Sequence, residues 1–167
     1  MQFARFTLTG FLVSLLVLFS ACGGSSVSTV NGVRPVATGN ANTQNSKAPN
    51  TNVEELGLLV NVQFEVEDVV WKEDATKKTI LAVLRFSPAD AAKIVAQAET
   101  FGQPMPGAIS PEQWFPSELI AQSEMSGDNV LKGQTYSADG FLQPPYSKGK
   151  LTRIESTDYF VLEAAAN

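Results

Sequence analysis

The chain has 167 residues, 12 basic and 17 acidic, for a net charge of −5, with no histidine and one cysteine. That composition excludes histidine triads, metal sites built on several His or Cys ligands, and any intramolecular disulfide. The acidic balance disfavours nucleic acid and anionic lipid head groups and would attract a cationic protein partner.

Arg5 and the amino terminus form a small positive region, and residues 6–19 follow as an uncharged run rich in Leu, Val and Phe. A helix of about 14 residues spans only about 21 Å, short of the roughly 30 Å hydrocarbon core, so the run fits a cleavable signal better than a permanent span. Two small residues, Ser20 and Ala21, then precede the lone cysteine in Leu18-Phe19-Ser20-Ala21-Cys22. This order resembles the signal and lipobox of bacterial lipoproteins, with Phe19 where that family prefers Leu. The resemblance implies removal of residues 1–21, with Phe19, Ser20 and Ala21 flanking the cut, and acylation of Cys22. The lipid bilayer then becomes a partner through two or three acyl chains, each methylene contributing about 0.8 kcal/mol when buried. It also implies a cell-envelope location, with the folded part facing the periplasm or the exterior. Gly23 and Gly24 after the cysteine lean towards an outer membrane where the cell has one. An ordinary secretory signal, cut among the same small residues, and an uncleaved anchor are the two alternatives.

Residues 22–52 are rich in Ser, Thr, Asn, Gly and Ala and are broken by Pro35 and Pro49. So little apolar surface does not offset the entropy of ordering, and the segment is expected to be a disordered tether with a mean reach near 30 Å. Without Arg5, 11 basic residues face 17 acidic ones, a net −6 for the processed chain.

Residues 53–167 are expected to form one α+β domain, an antiparallel sheet of four to five strands with one main helix packed on a face. Val60, Val62, Phe64 and Val66 alternate with polar neighbours, which predicts a strand with one buried face. The pattern slips at Glu67–Asp68, where a β-bulge would return Val69 and Trp71 to the core. After a loop over residues 72–78, residues 79–86 read as a central strand paired with the first. Ser87-Pro88-Ala89-Asp90 predicts a capped helix start, with Ala91, Ile94, Val95, Ala98 and Phe101 on one stripe.

Ser110-Pro111-Glu112-Gln113 repeats that start signal ahead of Trp114 and Phe115. These two aromatics are either a plug closing one end of the core, the favoured reading, or a patch for partner contact. Residues 133–142 are a strand–turn–strand candidate, and Ser147-Lys148-Gly149 reads as a break. Residues 151–154 and 159–163 read as a hairpin across residues 156–158, with Phe160 and Leu162 inward.

No Gly-rich phosphate loop, G-x-S-x-G or calcium-loop spacing occurs, so neither cofactor nor metal is expected. The one catalytic option is a carboxylate pair drawn from Glu65, Glu67, Glu73 and Asp74, whose simpler role is a solvated face. The expectation is therefore a non-enzymatic, membrane-anchored binding or assembly module of the cell envelope. A protective inhibitor directed at a cationic hydrolase or toxin is the main alternative, and a carboxylate hydrolase the weaker one.

Overall fold

The computed structural model describes residues 48–167. In chain order they form α1 (Val53–Gly57), β1 (Val66–Asp74), β2 (Thr79–Phe86), α2 (Pro88–Glu99), β3 (Met105–Ile109), α3 (Ser117–Ser126), β4 (Leu131–Ser137), a 3-10 turn at Asp139–Phe141, β5 (Tyr146–Ile154) and β6 (Tyr159–Ala166). All strands join one antiparallel sheet in the order β1-β2-β6-β5-β4-β3. The α+β class with an antiparallel sheet is as expected. The strand count is six rather than four to five, and helices pack on both faces rather than on one.

Two-sided packing follows from the sequence of the central strands. Along β2, Ile80, Ala82, Leu84 and Phe86 point into one core, while Val83 points into the other. β6 does the same, with Phe160 and Leu162 on the first side and Tyr159 and Val161 on the second. A strand buried on both faces needs this near-continuous apolar run, because successive side chains alternate across the sheet. Leu56 of α1 with Ala91 and Ile94 of α2 closes the first core, and Leu119 of α3 with Phe115 closes the second. Phe86 and Phe160 meet edge to face at 5.6 Å. Fully burying side chains of this size stabilises the fold by about 1.5–3 kcal/mol each.

The start of α2 is as the sequence predicts. Pro88 is the first helical residue, and the Ser87 hydroxyl accepts from the Asp90 amide at 3.1 Å. Its apolar stripe stops at Ala98, however. Phe101 lies past the helix end and is 47% exposed, not buried.

Five other expectations are corrected. The alternating stretch of residues 60–65 is not a strand, since β1 begins at Val66. Val60 is nevertheless buried, and the amide of Asn61 donates to the Phe141 carbonyl at 2.9 Å. Val62 and Phe64 pack partly against the same core, but the backbone partner of this irregular stretch is the 3-10 turn. The loop expected over 72–78 shortens to a turn after Asp74, whose carboxylate accepts from the amides of Thr76 and Lys77, both at 3.0 Å. The helix signal at Ser110 yields only a turn, and α3 starts at Ser117. Residues 147–149 continue β5 instead of breaking it, and the chain after the 3-10 turn does not return as a strand. Gly149 suits this place because a Cβ there would lie 2.7 Å from the Glu163 carbonyl oxygen.

The expected bulge is present between Val66 and Asp68, and Val69 and Trp71 are buried beyond it. The β5–β6 hairpin turns through Ser156 at φ 62°. Ordered contacts begin before residue 53. Asn50 exchanges two backbone hydrogen bonds of 2.8 Å with Trp71, and the Trp71 indole donates to the Asn52 carbonyl at 3.1 Å. The Asn52 side chain caps α1 by accepting from the amides of Glu54 and Glu55.

Candidate functional site

The anchor residues Phe19, Ser20, Ala21 and Cys22 lie outside the described residues, as does most of the 22–52 tether. The surface at Trp114 lies within them. The amide of Phe115 donates to the Glu112 carbonyl at 3.0 Å, so residues 112–115 close a turn that aims the two aromatics differently. Phe115 points into the second core and is 4% exposed, whereas Trp114 packs on its rim. Their rings meet edge to face at 4.8 Å. Phe115 thus serves packing, which leaves Trp114 to carry any contact with a partner.

Trp114 is held from two sides. Its indole nitrogen donates to the Glu112 carboxylate, and the Lys72 ammonium sits 5.4 Å from the ring centroid. An ammonium over an indole face is attracted by the ring quadrupole, by about 0.5–1 kcal/mol at an exposed site. Lys72, Pro111, Glu112, Gln113 and Trp114 line an open cleft of ≈ 520 Å³. This surface presents an ammonium, a carboxylate and a partly exposed aromatic ring. It contains no nucleophile–base pair.

The four carboxylates singled out in the sequence do not converge. Glu67 stands 3.6 Å from the Arg85 guanidinium at the start of β1. Glu73 accepts from the Tyr146 hydroxyl at 2.9 Å near the other end of the strand. Six residues of extended chain separate them by about 20 Å, well beyond the roughly 5–9.5 Å of a glycosidase pair. Asp74 is committed to its turn, where the Lys77 amide holds its carboxyl below the ordinary value. Glu65 is exposed ahead of the strand.

Two tyrosine–carboxylate ties escape a sequence reading. Tyr146 reaches Glu73, and Tyr159 reaches Glu118 at the start of α3. Burial pushes both phenols above their ordinary value, and the carboxylates reinforce the shift. The only sequence signal is a tyrosine at each strand start, where a buried ring needs a partner for its hydroxyl.

A second groove of ≈ 590 Å³ runs beside β3, β4 and β5, with Gln134 and Tyr136 in its lining. Its two cations are already engaged, Lys132 with Asp128 at 2.8 Å and Arg153 with Asp158 at 3.2 Å. Lys132 draws the Asp128 carboxyl down to about 2. Among the described residues no group of three or more acidic, His or Cys side chains is placed to hold a metal, and no helix is long and apolar enough to cross a membrane. No family model, curated protein or solved structure matches this chain.

Proposed function

We propose that this chain is a membrane-anchored cell-envelope lipoprotein whose folded part works as a binding or assembly module. The observation that carries the reading is the order of the first 22 residues: Arg5, an uncharged apolar run, then Ser20-Ala21-Cys22. The spacing behind it fits a tethered module. Among the described residues the first backbone pairing is at Asn50, 28 residues beyond Cys22. On this reading Cys22 is acylated, residues 1–21 are removed, and acyl burial rather than charge holds the protein on the membrane. The test is fractionation: the protein should stay with membranes through salt and carbonate washes and dissolve in detergent. Release by carbonate would refute the anchor.

One observation favours protection against a cationic protein as the second reading. Residues 48–167 hold all 17 acidic side chains against nine basic ones, a net −8. A basic envelope hydrolase or toxin is the matching partner. Capture of such a protein at low salt, lost at high salt, would support it, because steering by charge fades with ionic strength.

A further inference from the structure

The net −8 is unevenly spread. Five of the nine cations, Lys72, Lys77, Lys78, Lys148 and Lys150, gather at the end of the sheet that holds the β1–β2 turn. Register fixes this arrangement: Thr79 lies opposite Asp74 and Ala165, and Ala165 lies opposite Lys148. One level inward, Lys72, Leu81, Glu163 and Lys150 form a cross-strand row. The carboxylates at this end are Glu73, Asp74, Glu163, Asp139 on the flanking 3-10 turn and Glu112, which lines the same cleft as Lys72. Four of them are engaged: Glu73 by the Tyr146 hydroxyl, Asp74 by its turn and Lys77, Glu163 by Lys150 at 3.0 Å, and Glu112 by the Trp114 indole. Among the described residues no carboxylate pairs with Lys72, Lys78 or Lys148. With five cations and five carboxylates this end carries no net charge. The rest carries four cations against 12 carboxylates, a net −8, and all four cations there are paired.

A second observation points the same way. Asn50 bridges Trp71 in the antiparallel sense, so Pro49 and Ala48 run back past Lys72 and Glu73 towards the lysine end. The chain thus enters the fold on the side where the free lysines lie. Trp114, whose ring carries Lys72, stands beside them, and indole rings favour the level of lipid head groups.

We propose that this lysine end docks the domain onto anionic phospholipid head groups of the membrane that holds the Cys22 anchor; the proposal rests on the lipoprotein reading above. The anchor supplies the affinity, and the charge pattern supplies the orientation. Head-group phosphates attract Lys72, Lys78 and Lys148, which no carboxylate pairs, and repel the −8 remainder, so the acidic surface turns outward. Each lysine near such a surface strengthens the docked state about fivefold, and salt weakens it within a Debye length.

The test uses the full chain in vesicles of phosphatidylcholine alone or mixed with phosphatidylglycerol, both with a nitroxide head-group probe that quenches tryptophan. Trp71 is 5% exposed, so Trp114 is the reporter. The chain should float with both vesicles. Quenching should rise with phosphatidylglycerol, fall at high salt, and drop in a Lys72→Gln/Lys78→Gln/Lys148→Gln variant with unchanged circular dichroism. Flotation with both vesicles and equal quenching in both would overturn docking and leave the anchor standing. No flotation on phosphatidylcholine would overturn the anchor; docking would then stand only if the chain floats on the anionic vesicles at low salt and leaves them at high salt. The wild-type salt series reads out docking even if the triple variant misfolds.

Discussion

The hydroxyl of Tyr159 on β6 donates to the carboxylate of Glu118 in the first turn of α3, fastening the second-face helix to an inner strand of the sheet. The Arg85 guanidinium stands 5.8 Å from the Tyr159 ring and pairs with Glu67, which extends the tie towards β1. The tie has a pH signature. The Tyr159 hydrogen bond holds the Glu118 carboxyl below its ordinary value, so its contribution is present above about pH 4.3 and is lost as pH falls through the lower folded value. Burial raises the Tyr159 phenol, so its contribution is present below about pH 10 and is lost as pH rises beyond that.

Tyr159→Phe should therefore cost about 0.5–1.5 kcal/mol at neutral pH, since Glu118 remains solvent-accessible and recovers water. The gap between wild type and variant in urea titrations should narrow at both pH extremes. A gap of constant size from pH 3 to about pH 11 would contradict the coupling.

Gly133 makes a sharper packing prediction. A Cβ at this position would lie 2.0 Å from the carbonyl oxygen of Arg153 on the neighbouring strand. That oxygen belongs to the backbone and yields only if β4 and β5 separate. Gly133→Ala should cost about 1–3 kcal/mol or more. Gly57, with open space around its Cβ position, is the control and should be near neutral. Equal melting temperatures for the two variants would contradict the close approach.

Phe115 and Trp114 should part company although adjacent. Phe115→Ala opens the second core and should cost about 3–5 kcal/mol. Trp114→Ala removes a half-exposed ring and its Lys72 contact and should cost about 1–2 kcal/mol. Thermal melts of both variants decide it. A larger loss at Trp114 would place the plug at the wrong residue.

Much of the fold is legible where local chemistry and burial agree. The apolar run of β2, the Ser87-Pro88 helix start, the bulge that returns Val69 and Trp71 to the core, and the turn at Ser156 all follow from short-range patterns. The misses have the opposite character. β3 reads Met105-Pro106-Gly107-Ala108-Ile109, and its proline and glycine argue against a strand. As an edge strand it tolerates Pro106, and Gly107 is needed because a Cβ would lie 2.0 Å from the Thr135 hydroxyl oxygen. Val60, Val62 and Phe64 all pack on the first core, yet alternation does not reveal that the stretch is irregular or which backbone it pairs with. Phe115 and Trp114 form one sequence feature with two fates, decided by the turn at Glu112. The lysine end was hidden for a different reason. Lys72 and Lys148 are 76 positions apart and come together only through β2 and β6.

The first of the described residues give a truncation test. A fragment beginning at residue 48 keeps the Asn50–Trp71 bridge, the Asn52 cap and the acceptor for the Trp71 indole. One beginning at residue 53 loses all three, and should be less stable by about 1–3 kcal/mol. Neither fragment contains a cysteine, so neither melt should respond to reductant. Equal denaturant midpoints would mean that residues 48–52 add nothing to the fold.

Fatty-acid labelling of the wild type beside Cys22→Ser measures the central claim most directly. Acylation at Cys22 predicts label in the wild type and none in the variant, which should remain as precursor or be cut elsewhere and released. Equal label in both chains, or none in a wild-type protein found wholly outside the membrane fraction, would contradict the lipoprotein account.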